Sequence, residues 1–187
     1  MSKTILVSAT PLEHGGLSDL NKIPIFQVGI GKTNSAMNMT KLILKEKPDL
    51  VINFGSCGNL KNYKVGEVIE VGTVYNNIDV RPFAEYGCTP ESNDCEIKLS
   101  DSGVGCFTTD QIYDNRRTDY AKKYLEMIKS CDIVDMEGYA LAYVCKHHNI
   151  PFQSYKWVSD DGDIDSWEEN AAAGFELFKE LILPKLK

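Results

Sequence analysis

The segment from Asp132 to Asp163, DIVDMEGYALAYVCKHHNIPFQSYKWVSDDGD, constrains this chain more than any other. The apolar run Ile133 to Met136 precedes Tyr139 to His148, where Ala140, Leu141, Val144, Cys145 and His148 fall on one helical face. Asn149-Ile150-Pro151 ends the helix, and Phe152 to Val158 has the aromatic and β-branched composition of a strand. Strand, helix and strand in this order predict a βαβ unit with parallel strands, whose carboxyl ends share one edge of the sheet. Glu137 follows the first strand and Asp160 the second. Two carboxylates are thereby expected at the rim where open α/β sheets bind ligands.

The remaining chain alternates in the same way. Thr4 to Ser8, Ile23 to Val28, Leu50 to Phe54, Val65 to Tyr75 and Val104 to Thr109 read as strands. Asn34 to Lys47, Thr118 to Ser130 and Trp167 to Leu183 read as helices, while Asp79 to Ser102 reads as loop with one short strand. No repeat, linker or low-complexity tract interrupts the pattern, so residues 1–187 are expected to form a single α/β domain. A chain of this length buries roughly 70% of its unfolded surface. The net charge of -7 argues against binding to nucleic acids or anionic membranes, since both need clustered Lys and Arg. Without a signal-like N-terminus or a long apolar stretch, the expected location is the cytoplasm, away from membranes.

Cys57, Cys88, Cys95, Cys106, Cys131 and Cys145 are widely spaced and form no C-x-x-C pair. They are expected to be reduced thiols rather than disulfides or zinc ligands.

Four motifs narrow the chemistry. Gly29-Ile30-Gly31-Lys32-Thr33 follows a strand, but Phe26 stands where a P-loop needs glycine and Asn34 where a dinucleotide fingerprint does. What it retains is a tight turn with free backbone N–H groups. Gly55-Ser56-Cys57-Gly58 reads as a second turn, allowing close approach of a ligand, and lacks the spacing of a nucleophile elbow. Asp160-Asp161-Gly162-Asp163 places its glycine wrongly for a calcium loop, so no metal is expected. His147 and His148 are adjacent and point to different helix faces, as a cap and a core contact rather than ligands. Glu137 precedes a helix and could serve merely as its N-cap. Glu13, a third carboxylate after a strand on the same expected rim, argues for a site.

Taken together, these segments resemble the nucleoside phosphorylase/nucleosidase superfamily, and within it the methylthioadenosine/S-adenosylhomocysteine nucleosidases. The resemblance rests on Gly29-Ile30-Gly31-Lys32, on Lys47 to Gly58 (KPDLVINFGSCG), and on Val65-Gly66-Glu67. It continues through Thr108-Thr109-Asp110, Val134-Asp135-Met136-Glu137 and Val158-Ser159-Asp160. It implies a shortened nucleoside phosphorylase-like fold, a central mixed twisted sheet flanked by helices. It also implies cleavage of a purine nucleoside by water, without a cofactor. By the same resemblance Asp160 protonates the leaving purine, supported by Ser159, and Glu13 activates the water. Glu137 binds the ribose hydroxyls with Met136 against the sugar, Ile112 and Tyr113 hold the base, and Phe83 lies near the 5′-substituent. Ser56 and Lys156 fall on the nucleophile side.

The chemistry fits these residue types. Breaking a glycosidic C–N bond builds positive charge on the sugar and negative charge on the base. Asp160 is therefore expected neutral and Glu137 ionised. The chain departs from the family at Thr10, where methionine is common, and at Ile112, where phenylalanine is. The hairpin between Glu13 and Gly29 is expected to be missing or reduced, and Pro90 to Thr108 to lack a helix. Two rivals remain, a phosphorylase and a non-catalytic nucleoside-binding protein. Only Arg81, Arg116 and Arg117 could serve a phosphate, and none lies in the Glu13, Gly31 or Ser56 segments. The resemblance implies a homodimer in which Phe83, within Asp79 to Tyr86, approaches the partner's site, a segment whose aromatics and arginine suit an interface.

Overall fold

In the computed structural model, which describes residues 2–182 and residue 184, nine strands form one mixed sheet. β1 (Thr4–Ser8) lies between β3 (Ile23–Gln27) and β4 (Leu50–Asn59), parallel to both. β5 (Val68–Asn76) pairs in parallel with β7 (Val104–Thr108), which pairs in parallel with β8 (Ile133–Asp135). β9 (Phe152–Asp160) joins β4 in parallel and β5 in antiparallel fashion. Since β8 also pairs with β4, the strands β4, β8, β7, β5 and β9 close into a ring.

That closure overturns the βαβ reading. β8 runs antiparallel to β4 whereas β9 runs parallel to it, so β8 and β9 oppose one another and are not neighbours. The two carboxylates nevertheless approach one place, because Val134 of β8 and Asp160 of β9 both pair with Gly58 of β4. A shared partner residue does the work that parallel strands were expected to do.

Helices cover the sheet where the apolar residues point. α1 (Lys32–Glu46) and α3 (Gly138–His147) pack together through Met39, Ile43, Leu141, Val144 and Cys145 over Ile5, Val7 and Val51. α5 (Gly174–Leu181) covers another face, where Phe175 and Phe178 stack on Phe54 at centroid distances of 5.6 and 4.8 Å. Each fully buried aromatic of this kind contributes about 1.5–3 kcal/mol. α2 (Lys122–Ser130) buries Tyr124 and Ile128 against Phe107 and Val134.

Other expectations change in detail. Gly55 to Gly58 is strand, not turn, since β4 pairs with β9 along this whole stretch with a register shift at Cys57/Gly58. The expected C-terminal helix is two, α4 (Ile164–Asn170) and α5, separated by Ala171–Ala173; Leu183 lies outside the described residues. The reduced hairpin exists as the two-residue pairing of β2 (Asp19–Leu20) with β3. Within Asp79 to Ser102 the regular element is β6 (Glu96–Lys98). His148 is exposed at the C-cap of α3 and His147 packs on Tyr143, so neither is a core contact. Cys88 and Cys95 form a disulfide, contrary to the expectation of six thiols. The two cysteines meet because the chain doubles back between them, with Thr89 N–H bonded to Asp94 O and Asn93 N–H to Thr89 O. Among the described residues, no helix is long and apolar enough to cross a membrane.

Candidate active site

A cavity of about 230 Å³ opens at the ends of β1, β4, β8 and β9. Glu13, Ser56, Met136, Glu137, Asp160, Ile112 and Tyr113 all line it, and Thr10, Ile30, Thr109, Asp135 and Trp167 are among the other wall residues. Ser159 stands behind Asp160 rather than in the wall. Phe83 is not part of the wall; its side chain is 84% exposed. Lys156 is buried behind the cavity.

Glu13 sits on a 3-10 turn, Pro11–His14, that β1 feeds directly. Its Oε2 accepts from the backbone N–H groups of Ala9 (2.9 Å) and Thr10 (3.1 Å). Its Oε1 accepts from the Ser56 N–H (2.9 Å) and hydroxyl (3.0 Å). The carboxylate crosses to β4 at Gly55, where an added Cβ would lie 2.6 Å from Oε1. This close approach, rather than a turn, is what the Gly55 position requires.

Glu137 does not cap the helix it precedes. Its Oε1 accepts instead from Gly31 N–H at 2.8 Å, and Asp135 Oδ2 takes the Gly138 N–H of α3. Gly31 adopts φ +84°, a left-handed conformation suited to glycine, and this aims its N–H at Glu137. Lys32 N–H is likewise taken, by Asp110 Oδ1 at 2.8 Å. The N–H groups expected to be free for a ligand are thus partly engaged by the chain's own carboxylates.

Burial pushes the Glu137 carboxyl up, to about 8, only partly opposed by the Lys156 ammonium. The ionised Glu137 expected from the chemistry is therefore not the form that burial favours in the ligand-free site. Lys156 Nζ lies 2.9 Å from Asp135 Oδ2, with both side chains buried. Burial alone would lower the Lys156 ammonium, but Asp135, Glu137 and Glu13 outweigh it and hold it above its ordinary value.

Asp160 is also raised, chiefly by burial. Its Oδ1 accepts from Gly162 N–H (2.9 Å), and the Ser159 hydroxyl lies 2.8 Å from Oδ2 and 3.1 Å from Cys57 O. A hydroxyl carries one hydrogen. Both Ser159 contacts are satisfied together only when Asp160 is protonated and donates, which agrees with the direction of its shift.

Tyr113 is wedged against Gly162 and stacks on Tyr120 at 6.0 Å, while Ile112 is 52% exposed. Their loop is tied to the segment after β9 by Asn115, whose N–H donates to Gly162 O and whose Nδ2 donates to Asp161 O.

The sequence profile of the phosphorylase superfamily matches residues 12–100 and 97–183, nearly the whole chain. The chain belongs to the phosphorylase superfamily. A 5′-methylthioadenosine/S-adenosylhomocysteine nucleosidase of Staphylococcus aureus is 31% identical over 165 residues, covering 79% of this chain and 72% of that relative. The structure of a Streptococcus pneumoniae MTA/SAH nucleosidase with 8-aminoadenine superposes with a TM-score of 0.82 at 20% identity, over 99% of each chain. The futalosine hydrolase of Helicobacter pylori superposes with a TM-score of 0.80 at 20% identity, over 98% of each. At such identities the solved structures bear on the fold, and the superfamily fold spans this chain from end to end.

Within this superfamily member, the sequence reading missed three residues of the site. Trp167 lines the cavity and donates its indole N–H to Ser56 Oγ at 3.0 Å. Its signal was a tryptophan seven residues beyond Asp160, read there only as a helix residue. Asp135 joins Lys156, Thr108 and Gly138, and Thr109 accepts from Asn77 Nδ2 and Gln111 N–H. Neither stands out by spacing, because Lys156, Thr108 and Asn77, the partners that fix them in the site, are far away in sequence or on another strand.

Proposed function

We propose that this chain hydrolyses the N-glycosidic bond of an adenine nucleoside such as 5′-methylthioadenosine or S-adenosylhomocysteine, releasing the free base. One observation carries the reading: three carboxylates from distant parts of the chain, Glu13, Glu137 and Asp160, line a single cavity in three different environments. Asp160, raised by burial, is the general acid that protonates the purine as the C–N bond breaks. Ser159 supports it. Glu13 takes the proton of the attacking water. Glu137 and Met136 hold the sugar, Glu137 losing its proton as the ribose hydroxyls donate to it. Ile112 and Tyr113 flank the base.

Water, rather than phosphate, is the nucleophile. Arg81, Arg116 and Arg117 pair with Asp79, Asp114 and Asp119 on the surface, and none lines the cavity. Glu13 would repel a phosphate dianion at the nucleophile position. A purely binding role does not call for a buried carboxyl pushed toward its acid form beside the base.

The protein works as a homodimer in the cytoplasm, with Phe83 reaching the partner's cavity. The 84% exposed Phe83 has no place in its own core, and Ile30 and Met37 are also exposed apolar residues. The Lys32 side chain ties the Gly31 turn to Asn76 and Asn77, at the start of the segment that bears Phe83. Free-base release from a panel of nucleosides, with and without phosphate, tests the activity. Base release that depends on phosphate would reject hydrolysis.

A further inference from the structure

Glu13 has no acceptor position left for a water. A carboxylate offers about four lone-pair sites, and Ala9 N–H, Thr10 N–H, Ser56 N–H and the Ser56 hydroxyl occupy four. Two of the three backbone donors lie just past β1 and the third within β4. The fourth, the Ser56 hydroxyl, is the one that can exchange a proton. Its polarity is set by its other neighbour. Indole N–H is donor only, so Trp167 must donate to Ser56 Oγ (3.0 Å), and the Ser56 hydrogen must point at Glu13 Oε1 (3.0 Å). One lone pair of Ser56 Oγ remains, on a half-buried residue in the cavity wall.

We propose that Ser56 relays the proton from the attacking water to Glu13, and that Trp167 is the positioning residue that fixes the direction of the relay. The proposal rests on the hydrolase reading above. Water donates to the free lone pair of Ser56 Oγ. As its oxygen forms the bond to the sugar C1′, its proton passes to Ser56 Oγ and the Ser56 hydrogen passes to Glu13 Oε1. The C1′–N electron pair leaves with the base, which takes the proton of Asp160. Glu13 ends protonated and Asp160 ionised, and exchange with solvent restores both.

Trp167 stands on α4, which is held near the base loop from outside. Asp163 caps α4, and Arg116 lies 3.7 Å from both Asp163 and Asp165. Such exposed pairs are weak individually, but they join the segment bearing Ile112 and Tyr113 to the helix that orients Ser56. The aromatic ring and the N–H of Trp167 can be separated experimentally, since phenylalanine keeps the first and loses the second.

The test is a double-mutant cycle on steady-state kinetics, with Trp167→Phe and Ser56→Ala singly and together. Trp167→Phe is expected to lower kcat about tenfold with KM within about twofold, and Ser56→Ala to lower it by on the order of 30-fold. The double variant should match Ser56→Ala alone, and Ser56→Thr should restore most of the turnover. An equal loss from Trp167→Phe in both backgrounds, or Ser56→Ala within about twofold of the parent, overturns the relay. A parent chain that releases no base from any nucleoside instead overturns the hydrolase reading, and the relay with it. The hydrogen bond is checked separately by the indole proton resonances. Ser56→Ala should shift the Trp167 signal and speed its exchange while leaving that of Trp157, bonded to Ala171 O at 3.1 Å, unchanged. An unmoved Trp167 signal contradicts the proposed arrangement.

Discussion

Asp160 and Glu137 are both carboxyls driven toward neutrality by burial, and they differ in what the reaction asks of them. In the proposed reaction Asp160 must keep its proton until the base leaves. Asparagine there retains the hydrogen-bonding shape and cannot deliver a proton, so Asp160→Asn should lower turnover by about 10²–10⁴-fold while nucleoside affinity stays within about tenfold. Turnover within a few-fold of the parent would remove Asp160 from the acid role. The proposed reaction uses the acid form, so kcat should fall as pH rises through the raised Asp160 pKa. Glu137 makes a stability prediction. Its folded pKa of about 8 lies above its ordinary value of 4.5. Between these values the unfolded chain sheds a proton that the folded chain retains, so the stabilisation is complete below the ordinary pKa and is lost toward about pH 8. Melting temperature of the ligand-free protein should therefore decline over that window, and Glu137→Gln should flatten the decline. Parallel curves for the two proteins would show that Glu137 is ionised throughout.

At the scale of elements, the strands were legible wherever apolar or β-branched residues ran unbroken. β1 was read to the residue, and β3, β7 and the start of β4 to within one. The second half of β4 was not, because Gly55-Ser56-Cys57-Gly58 has the composition of a turn. Its strand character comes from pairing with β9, which is a long-range fact. The glycines are there for space: an added Cβ at Gly58 would lie 2.9 Å from Val134 Cγ1, and one at Gly55 would meet Glu13. Gly55→Ala should leave the sheet formed but displace the Glu13 carboxylate, lowering kcat by on the order of 10²-fold, as loss of a general base does. Full activity in a folded Gly55→Ala protein would separate Glu13 from the chemistry. The disulfide and the site role of Trp167 escaped the reading for a related reason. Both depend on where loops fold back, and local spacing carries no such information.

For the whole molecule, the sequence carried the α/β class and the approach of three carboxylates, but not the closure of the sheet. Closure reverses the relative sense of β8 and β9, and it follows from β9 bridging β4 and β5. The exposed Phe83, outside the wall of its own cavity, gives the assembly prediction. Sedimentation should show a dimer at working concentration, and Phe83→Ala should raise KM more than it lowers the melting temperature. A fully active monomer would end the dimer proposal. The proposed reaction, in which water attacks the sugar with Glu13 as the final proton acceptor while Asp160 protonates the base, is tested most directly by isotope. Turnover of an adenine nucleoside in ¹⁸O-water containing phosphate should give free adenine and a sugar carrying one solvent oxygen at C1′. A sugar 1-phosphate as the main product would contradict it.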